Sequence, residues 1–158
     1  MSDPAAFEAA RQKAVAFIGI DRSKSSGRVR RNLLGKGVDA RLADQVVRYF
    51  IDIDYINDER AAAAIVARYR GRKLRSRRAM QAVLIRNGVE ADVAARFVKQ
   101  LEEDKLTASA LCRAVFPDAG PDQEIDLMKL LTRRGYPAGL ARAVIRDHLA
   151  EDPDRLEI

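Results

Sequence analysis

Apolar residues recur at intervals of three and four along most of this chain, and the pattern is interrupted by three glycines. Gly37, Gly88 and Gly135 lie about 50 residues apart, with a leucine four positions before each and an apolar residue directly after it. Such spacing on both sides of a glycine is typical of two amphipathic helices joined by a short turn. The glycine suits the left-handed position that ends a helix, where a side chain would be strained. The matching apolar residues are Leu33, Leu84 and Leu131 before the glycines, Val38, Val89 and Tyr136 after them, and Leu42, Val93 and Leu140 further on.

A third helix is predicted before each of these pairs, over residues 7–20, from 57 to about 70, and over 107–116. Asn57 is a candidate N-cap followed by two acids, and Gly71 favours an end to that helix. Caps or breaks before the second helices are expected at Ser25 or Ser26, at Ser76 and at residues 118–122. The sequence therefore predicts an all-α fold of three tandem three-helix modules that form an elongated, curved helical array. The modules span about residues 5–54, 55–104 and 105–151, and the tail at 152–158 is expected to be frayed.

The charge of the chain is the compositional feature that indicates its partners. The 158 residues carry a formal net charge of +6, which indicates an anionic partner: nucleic acid, an acidic protein surface or an anionic membrane. The single Cys112 excludes an internal disulfide and agrees with a reducing compartment. No apolar run approaches the roughly 20 residues of a membrane span, and no secretion signal is recognisable. We therefore expect a cytoplasmic monomer with no membrane partner.

The strongest local feature is a basic run in the middle module. Seven cations fall within eleven residues without an accompanying acid, whereas a plain solvated surface, the alternative interpretation, carries mixed signs. Cations at a helix N-terminus oppose the helix dipole, so Arg77 and Arg78 indicate an external anion. Guanidinium groups fit phosphate and carboxylate alike, which leaves DNA and an acidic protein patch open. Tyr69 could stack on a base or pack inward. The run comprises Arg68, Arg70, Arg72, Lys73, Arg75, Arg77 and Arg78.

A weaker basic set lies in the first module. Its candidate binding residues are Lys24, Arg28 and Arg31, with Arg30 and Lys36 beside them. The stretch from Gly35 to Gly37 resembles a helix-hairpin-helix clamp on phosphate, but only the turn glycine recurs in the other modules, which favours helix capping. The same stretch lacks the spacing of a phosphate-binding P-loop.

No set of residues indicates catalysis. Four acidic residues could hold a divalent cation, although capping and compensation of helix dipoles explain them. His148 is the only histidine, which excludes a Ser-His-Asp triad and a multi-histidine zinc site; we expect it at the edge of a core. Cys112 is expected to be a buried hydrophobe. The sequence predicts a protein that is not an enzyme and has no cofactor and no metal. The four acids are Asp52, Asp54, Asp58 and Glu59.

The join between the first two modules carries a family resemblance. The segment Tyr55-Ile56-Asn57-Asp58-Glu59-Arg60-Ala61-Ala62 is followed by Val66-Ala67-Arg68, the basic run, Ser76 and Gly88-Val89. This order resembles the RecX family, whose pattern here is hydrophobic-(Asn/Asp)-Asp-Glu-aromatic-Ala. The resemblance extends over about residues 14–149. Gly27, where the family often has an acid, and Ala61, in place of the usual aromatic after Asp-Glu-Arg, depart from the pattern.

The resemblance implies a function that composition does not. RecX proteins bind the RecA recombinase, lie in the helical groove of its filament on single-stranded DNA, and damp ATP hydrolysis, strand exchange and co-protease activity. Some also contact DNA directly. Two alternatives stay open: a general basic DNA-binding or architectural protein that acts without RecA, and a helical-repeat scaffold for another acidic protein.

Overall fold

The computed structural model describes residues 3–151, and every regular element in that range is a helix. The all-α prediction is therefore confirmed for the described chain. None of these helices combines the length and apolar character that crossing a membrane would require. The tail predicted to be frayed, residues 152–158, lies outside the described residues. The α-helices are α1 (Pro4–Ile18), α2 (Ser26–Gly35), α3 (Ala40–Asp52), α4 (Asp58–Val66), α5 (Arg77–Arg86), α6 (Ala91–Val98), α7 (Asp104–Val115), α8 (Glu124–Arg133) and α9 (Ala138–Ala150), with short 3-10 helices at Gly71–Lys73 and Pro121–Gln123.

The described chain divides into two units, each with a hydrophobic core of its own. The first unit contains the described residues up to Ile65 together with Ala82–Phe97, and the second contains Val66–Gln81 together with residues 98–151. The leucines before the turn glycines are fully buried, as the periodicity predicts. Each such side chain contributes about 1.5–3 kcal/mol by its burial. The division into three modules stays a prediction.

The three glycine turns have the same backbone geometry. Gly37, Gly88 and Gly135 have φ angles of 85°, 87° and 92°. In each turn the residue after the glycine donates its N–H to the carbonyl of the buried leucine four positions before the glycine. This pattern closes the end of a helix and satisfies carbonyls that would otherwise have no partner. The bonds are Val38 N to Leu33 O, Val89 N to Leu84 O and Tyr136 N to Leu131 O, each 3.0 Å.

The predicted caps at Asn57, Ser25 and Ser76 are confirmed, whereas no side chain from residues 118–122 caps α8 and the predicted end of α4 is wrong. Asn57 Oδ1 accepts the N–H of Arg60 at 3.0 Å, and the hydroxyls of Ser25 and Ser76 accept N–H groups in the first turns of α2 and α5. Helix α4 ends at Val66, several residues before the predicted end near residue 70. Beyond it the chain turns, with Tyr69 N donating to Val66 O at 2.9 Å, and Gly71 has a φ of 60° that a continued α-helix does not allow.

In the first unit, the start of α2 packs directly on the turn between α5 and α6. The hydroxyl of Ser25 donates to Asn87 O at 2.6 Å, and Gly27 N donates to Gly88 O at 2.9 Å. A Cβ on Gly27 would lie 2.7 Å from the Cα of Gly88, and a Cβ on Gly88 would lie 2.7 Å from the amide nitrogen of Arg28. Only glycine fits at either position, so the two backbones are in contact.

Asp58, at the start of α4, connects two helix N-termini through one carboxylate. Its oxygens accept the N–H of Ser26 at 2.7 Å, the hydroxyl of Ser26 at 2.6 Å and the N–H of Glu90 at 2.8 Å. The amides belong to the beginnings of α2 and α6, where the helix dipole favours negative charge. Asp58 therefore joins three segments of the first unit.

The second unit repeats this arrangement. Ser76 N donates to Arg134 O at 3.0 Å, and a Cβ on Gly135 would lie 2.6 Å from the hydroxyl oxygen of Ser76. Asp104 at the start of α7 accepts the N–H of Arg77 at 2.9 Å, which corresponds to the contact of Asp58 with Ser26. In both units a helix start is therefore held by a glycine turn and by an aspartate.

Comparison of two glycine substitutions tests the importance of this close approach. We expect Gly37→Ala, whose Cβ would meet nothing within 4 Å, to cost about 1–2 kcal/mol of unfolding free energy from backbone strain. Gly88→Ala adds steric overlap with α2 and should cost about 1–3 kcal/mol more. Urea unfolding of both variants measures the difference. Equal losses would show that the contact with α2 contributes nothing beyond the φ angle.

Candidate functional site

The basic segment, Arg68–Arg78, follows α4, includes the 3-10 helix at Gly71–Lys73 and enters α5. Five of its seven cations are exposed to solvent. The other two, Arg75 and Arg77, are half-buried, as is Tyr69, and Ser76 is buried. The exposed ones are Arg68, Arg70, Arg72, Lys73 and Arg78. The segment therefore presents most of its charge outward from a backbone that is anchored at Ser76.

Arginine side chains bind the backbone carbonyls of this segment. Arg134 Nη1 donates to Arg72 O at 2.8 Å and to Leu74 O at 3.3 Å, and Arg75 Nη1 donates to Lys73 O at 2.7 Å. Three successive carbonyls, at residues 72, 73 and 74, are thus turned toward guanidinium groups. Arg134 is not among the site residues predicted from the sequence. No local pattern links it to a segment about 60 residues away, because the contact forms only when the chain folds.

Tyr69 lies under the guanidinium of Arg75, whose central carbon is 5.1 Å from the ring centroid. A cation over an aromatic face at this distance is attracted by the ring quadrupole, and such contacts contribute about 0.5–1 kcal/mol at exposed sites. The ring of Tyr69 is only half-buried, so it is not packed deeply inward. The face that Arg75 covers is not free to stack on a base. The ring orients Arg75.

Arg77 has partners within its own chain. Its Nε donates to Leu101 O at 3.0 Å, its Nη2 also contacts that oxygen, and its N–H binds Asp104. The guanidinium of Arg77 is thus bound by a carbonyl, and the backbone at the start of α5 is bound by the carboxylate of Asp104. These internal partners account for Arg77 without an external anion. Arg78 is exposed and has no such contact among the described residues.

The basic segment carries uncompensated positive charge. No cation of the segment forms an ion pair with a described residue. Arg134, at the turn after α8, extends the cluster of positive charge. Burial and the neighbouring charges of Arg75 and Arg133 lower the pKa of its guanidinium. Like charges held together without carboxylates repel one another, so an anion bound here would relieve that repulsion.

In the weaker basic set of the first unit, most cations contact other side chains of the described chain. Arg30 pairs with Asp44 at 2.7 Å, and the charged groups of Lys24 and Arg28 each lie 5.7 Å from the centroid of the Phe17 ring. Arg31 and Lys36 are exposed. The two sets lie in different units, and the one in the second unit has the larger number of cations without an internal partner.

The turn between α2 and α3 does not offer a phosphate clamp. The amides of Lys36, Gly37 and Val38 all donate to carbonyls of α2, at 3.0–3.1 Å. A helix-hairpin-helix clamp needs amides that are free to bind an anion, so the capping interpretation of Gly35 to Gly37 is confirmed.

The acidic residues considered as metal ligands have other partners. Asp54 accepts from Asn57 and lies 3.7 Å from a guanidinium nitrogen of Arg60, whereas Asp58 binds amides as described above. Asp52 pairs with Arg48 at 3.3 Å, and Glu59 is exposed. Within residues 3–151, no group of three or more histidine, cysteine, aspartate or glutamate side chains is placed to hold a metal ion.

His148 and Cys112 lie in the interior of the second unit. His148 is 6% exposed, and its Nε2 is 2.8 Å from Phe116 O. Cys112 is fully buried, and burial raises the pKa of its thiol to about 11. Both predictions for these residues, a position at the core and a buried hydrophobe, are confirmed.

Comparison with known proteins gives a consistent family. No protein-family model matches the sequence. The chain is 34% identical over 122 residues to Regulatory protein RecX of Streptomyces coelicolor, covering 73% of this chain and 64% of that protein. It is 30% identical over 136 residues to Regulatory protein RecX of Amycolatopsis mediterranei, covering 82% and 78%. The match to the Streptomyces proteins thus spans a little under two thirds of their length.

The fold also has a solved counterpart. The crystal structure of RecX from Lactobacillus salivarius superposes with a TM-score of 0.69, covering 91% of this chain and 97% of that one at 14% identity. The protein thus has the helical fold of that structure, and its second unit carries a basic segment that forms no ion pair with the described residues. The chain belongs to the RecX family.

The protection of Cys112 can be measured directly. The native thiol should react with a disulfide reagent at pH 8 only as fast as its surroundings open, because burial disfavours the thiolate. A variant with Cys112→Ala and Lys105→Cys carries an exposed thiol on the same helix and should react at the rate of a free cysteine. Equally fast reaction of native Cys112 would contradict its burial.

Proposed function

We propose that this protein regulates the RecA recombinase by binding the RecA filament on single-stranded DNA, with the basic segment as its anion-binding surface. Family membership supports the class of target. The observation that carries the assignment of the site is that exposed cations follow one another on a backbone held by internal hydrogen bonds and form no ion pair within residues 3–151.

The chemistry of the segment fits a polyanionic filament. Arg70 and Arg72 can form paired hydrogen bonds with phosphate or with the carboxylates of an acidic protein surface. A backbone that is already ordered loses less conformational entropy on binding than a flexible loop does. Attraction between opposite charges would also speed the first encounter.

The proposed outcome is inhibition. A helical protein in the filament groove, held by contacts along the basic segment, would restrain the subunit movements that accompany ATP hydrolysis. Strand exchange and co-protease activity would fall with it, because each needs access to the same groove. In this proposal the chain acts as a monomer and contributes no catalytic group.

A second candidate is DNA binding without RecA. The same unpaired cations fit phosphates of bare DNA, and about six phosphate contacts would give a salt dependence with a slope near −5. A scaffold role for another acidic protein would use the same cations and ignore nucleic acid.

Titration into RecA-catalysed ATP hydrolysis on single-stranded DNA separates these candidates. Strong inhibition at substoichiometric protein, with little affinity for the bare DNA in the same salt, supports filament regulation. An effect no larger than competition for DNA supports the second candidate. Binding to neither the filament nor DNA favours the scaffold.

Charge reversal tests the site. We expect Arg70→Glu with Arg72→Glu to raise the concentration for half-inhibition at least about tenfold, since both cations become repulsive to the anion. The matched control, Arg142→Glu with Arg146→Glu, makes the same change in net charge at exposed positions of α9. Far-ultraviolet circular dichroism should be unchanged in both variants. If the concentration for half-inhibition rises equally in the two double variants, net charge rather than the basic segment explains binding.

A further inference from the structure

We propose that Arg134 is the positioning residue of the basic segment: its guanidinium holds the backbone from Arg72 to Leu74, and this fixes the surface from which the exposed cations bind the filament. The proposal rests on the function proposed above and goes beyond it. It assigns control of the site to a residue of the turn between α8 and α9, far away in sequence.

Arg134 contacts the basic segment at three points. Its Nη1 donates to the carbonyls of Arg72 at 2.8 Å and Leu74 at 3.3 Å, and its own carbonyl accepts the N–H of Ser76 at 3.0 Å. One residue therefore holds the segment both before and at its entry into α5. Arg134 is itself fixed, because it caps the C-terminus of α8 and its N–H donates to Leu130 O.

Apart from Arg134, the segment before Ser76 is held by the packing of its 3-10 helix on α7, by the bond from Arg75 to Lys73 O and by local turns. In this part of the segment the other backbone–backbone hydrogen bonds are short-range, from Tyr69 N to Val66 O, Lys73 N to Arg70 O and Leu74 N to Gly71 O. Leu74 is the apolar residue of the segment that packs against the core of the second unit. Local turns of this kind open readily in water. Without the guanidinium, the carbonyls of Arg72 and Leu74 would have no partner among the described residues.

An arginine at this position has an electrostatic cost that a neutral donor would avoid. Burial, together with repulsion from the nearby Arg75 and Arg133, lowers the pKa of the Arg134 guanidinium. The two N–H groups of Nη1, at the end of a long side chain, reach both carbonyls at once. An anion bound over the cluster would relieve the part of this cost that comes from repulsion among the arginines.

The neighbouring Arg133 provides a matched control. It is exposed, has the same charge and forms no contact with the segment among the described residues. Arg133→Gln and Arg134→Gln therefore remove equal charge from adjacent positions, and only the second removes the bonds to the carbonyls.

The experiment combines amide hydrogen exchange on the free protein with inhibition of RecA ATP hydrolysis. In Arg134→Gln we expect exchange at Lys73 and Leu74 to speed up at least about tenfold, with the amides of α7 and α9 unchanged as internal reference. The concentration for half-inhibition should rise at least about tenfold more than in Arg133→Gln. In Arg133→Gln, exchange at Lys73 and Leu74 should match the wild type. The concentration for half-inhibition should rise only by the effect of removing one charge.

Two results would overturn the proposal. One is unchanged exchange at Lys73 and Leu74 in Arg134→Gln, and the other is equal loss of inhibition in the two variants, which would make Arg134 an ordinary surface cation. A wild-type protein that leaves RecA ATP hydrolysis unaffected contradicts the proposed function instead. In that case the exchange comparison still decides whether Arg134 holds the segment.

Discussion

A serine at the start of one helix lies against the glycine of a turn that is distant in sequence, once in each unit. Ser25 meets the turn at Gly88, and Ser76 meets the turn at Gly135, at distances that leave no room for a Cβ. The positive φ of each glycine closes the preceding helix and exposes its backbone to the incoming helix. Gly37 has the same φ, yet nothing lies within 4 Å of the position of its Cβ. The turn geometry is therefore common to all three glycines, and the close approach is an additional constraint on two of them.

This constraint also positions the candidate site. The basic segment ends at α5, whose start is held by the turn at Gly135 and by Asp104. The same turn supplies Arg134, which binds the carbonyls before that start. Charge that would be dispersed in a flexible loop is thereby concentrated on a fixed backbone, a condition for tight binding at modest entropic cost. The contacts that stabilise the turn at Gly135 therefore also hold the backbone from which the cations are exposed.

Much of the fold could be predicted because its signals are local. The leucines before each glycine, the caps at Asn57 and Ser76 and the buried Cys112 follow from spacing and from residue type. The end of α4 could not be predicted in the same way. No helix-breaking residue lies between Val66 and Gly71, and the backbone of the segment beyond is bound by Arg134, a residue of a distant turn. Arg77 is a similar case, since its partner Leu101 lies on another loop.

The sequence by itself determined the helical class, the three glycine turns and the concentration of charge between α4 and α5, since periodicity, backbone strain and net charge act over a few residues. Only the tertiary structure decided which carboxylates bind amides, which cations stay unpaired and which residue holds the basic segment. From the sequence alone Asp58 fits a metal ligand or a helix cap, and its contacts with Ser26 and Glu90 show that it binds amides. Hydrogen bonds between segments dozens of residues apart depend on the packing of whole helices, which no local pattern encodes.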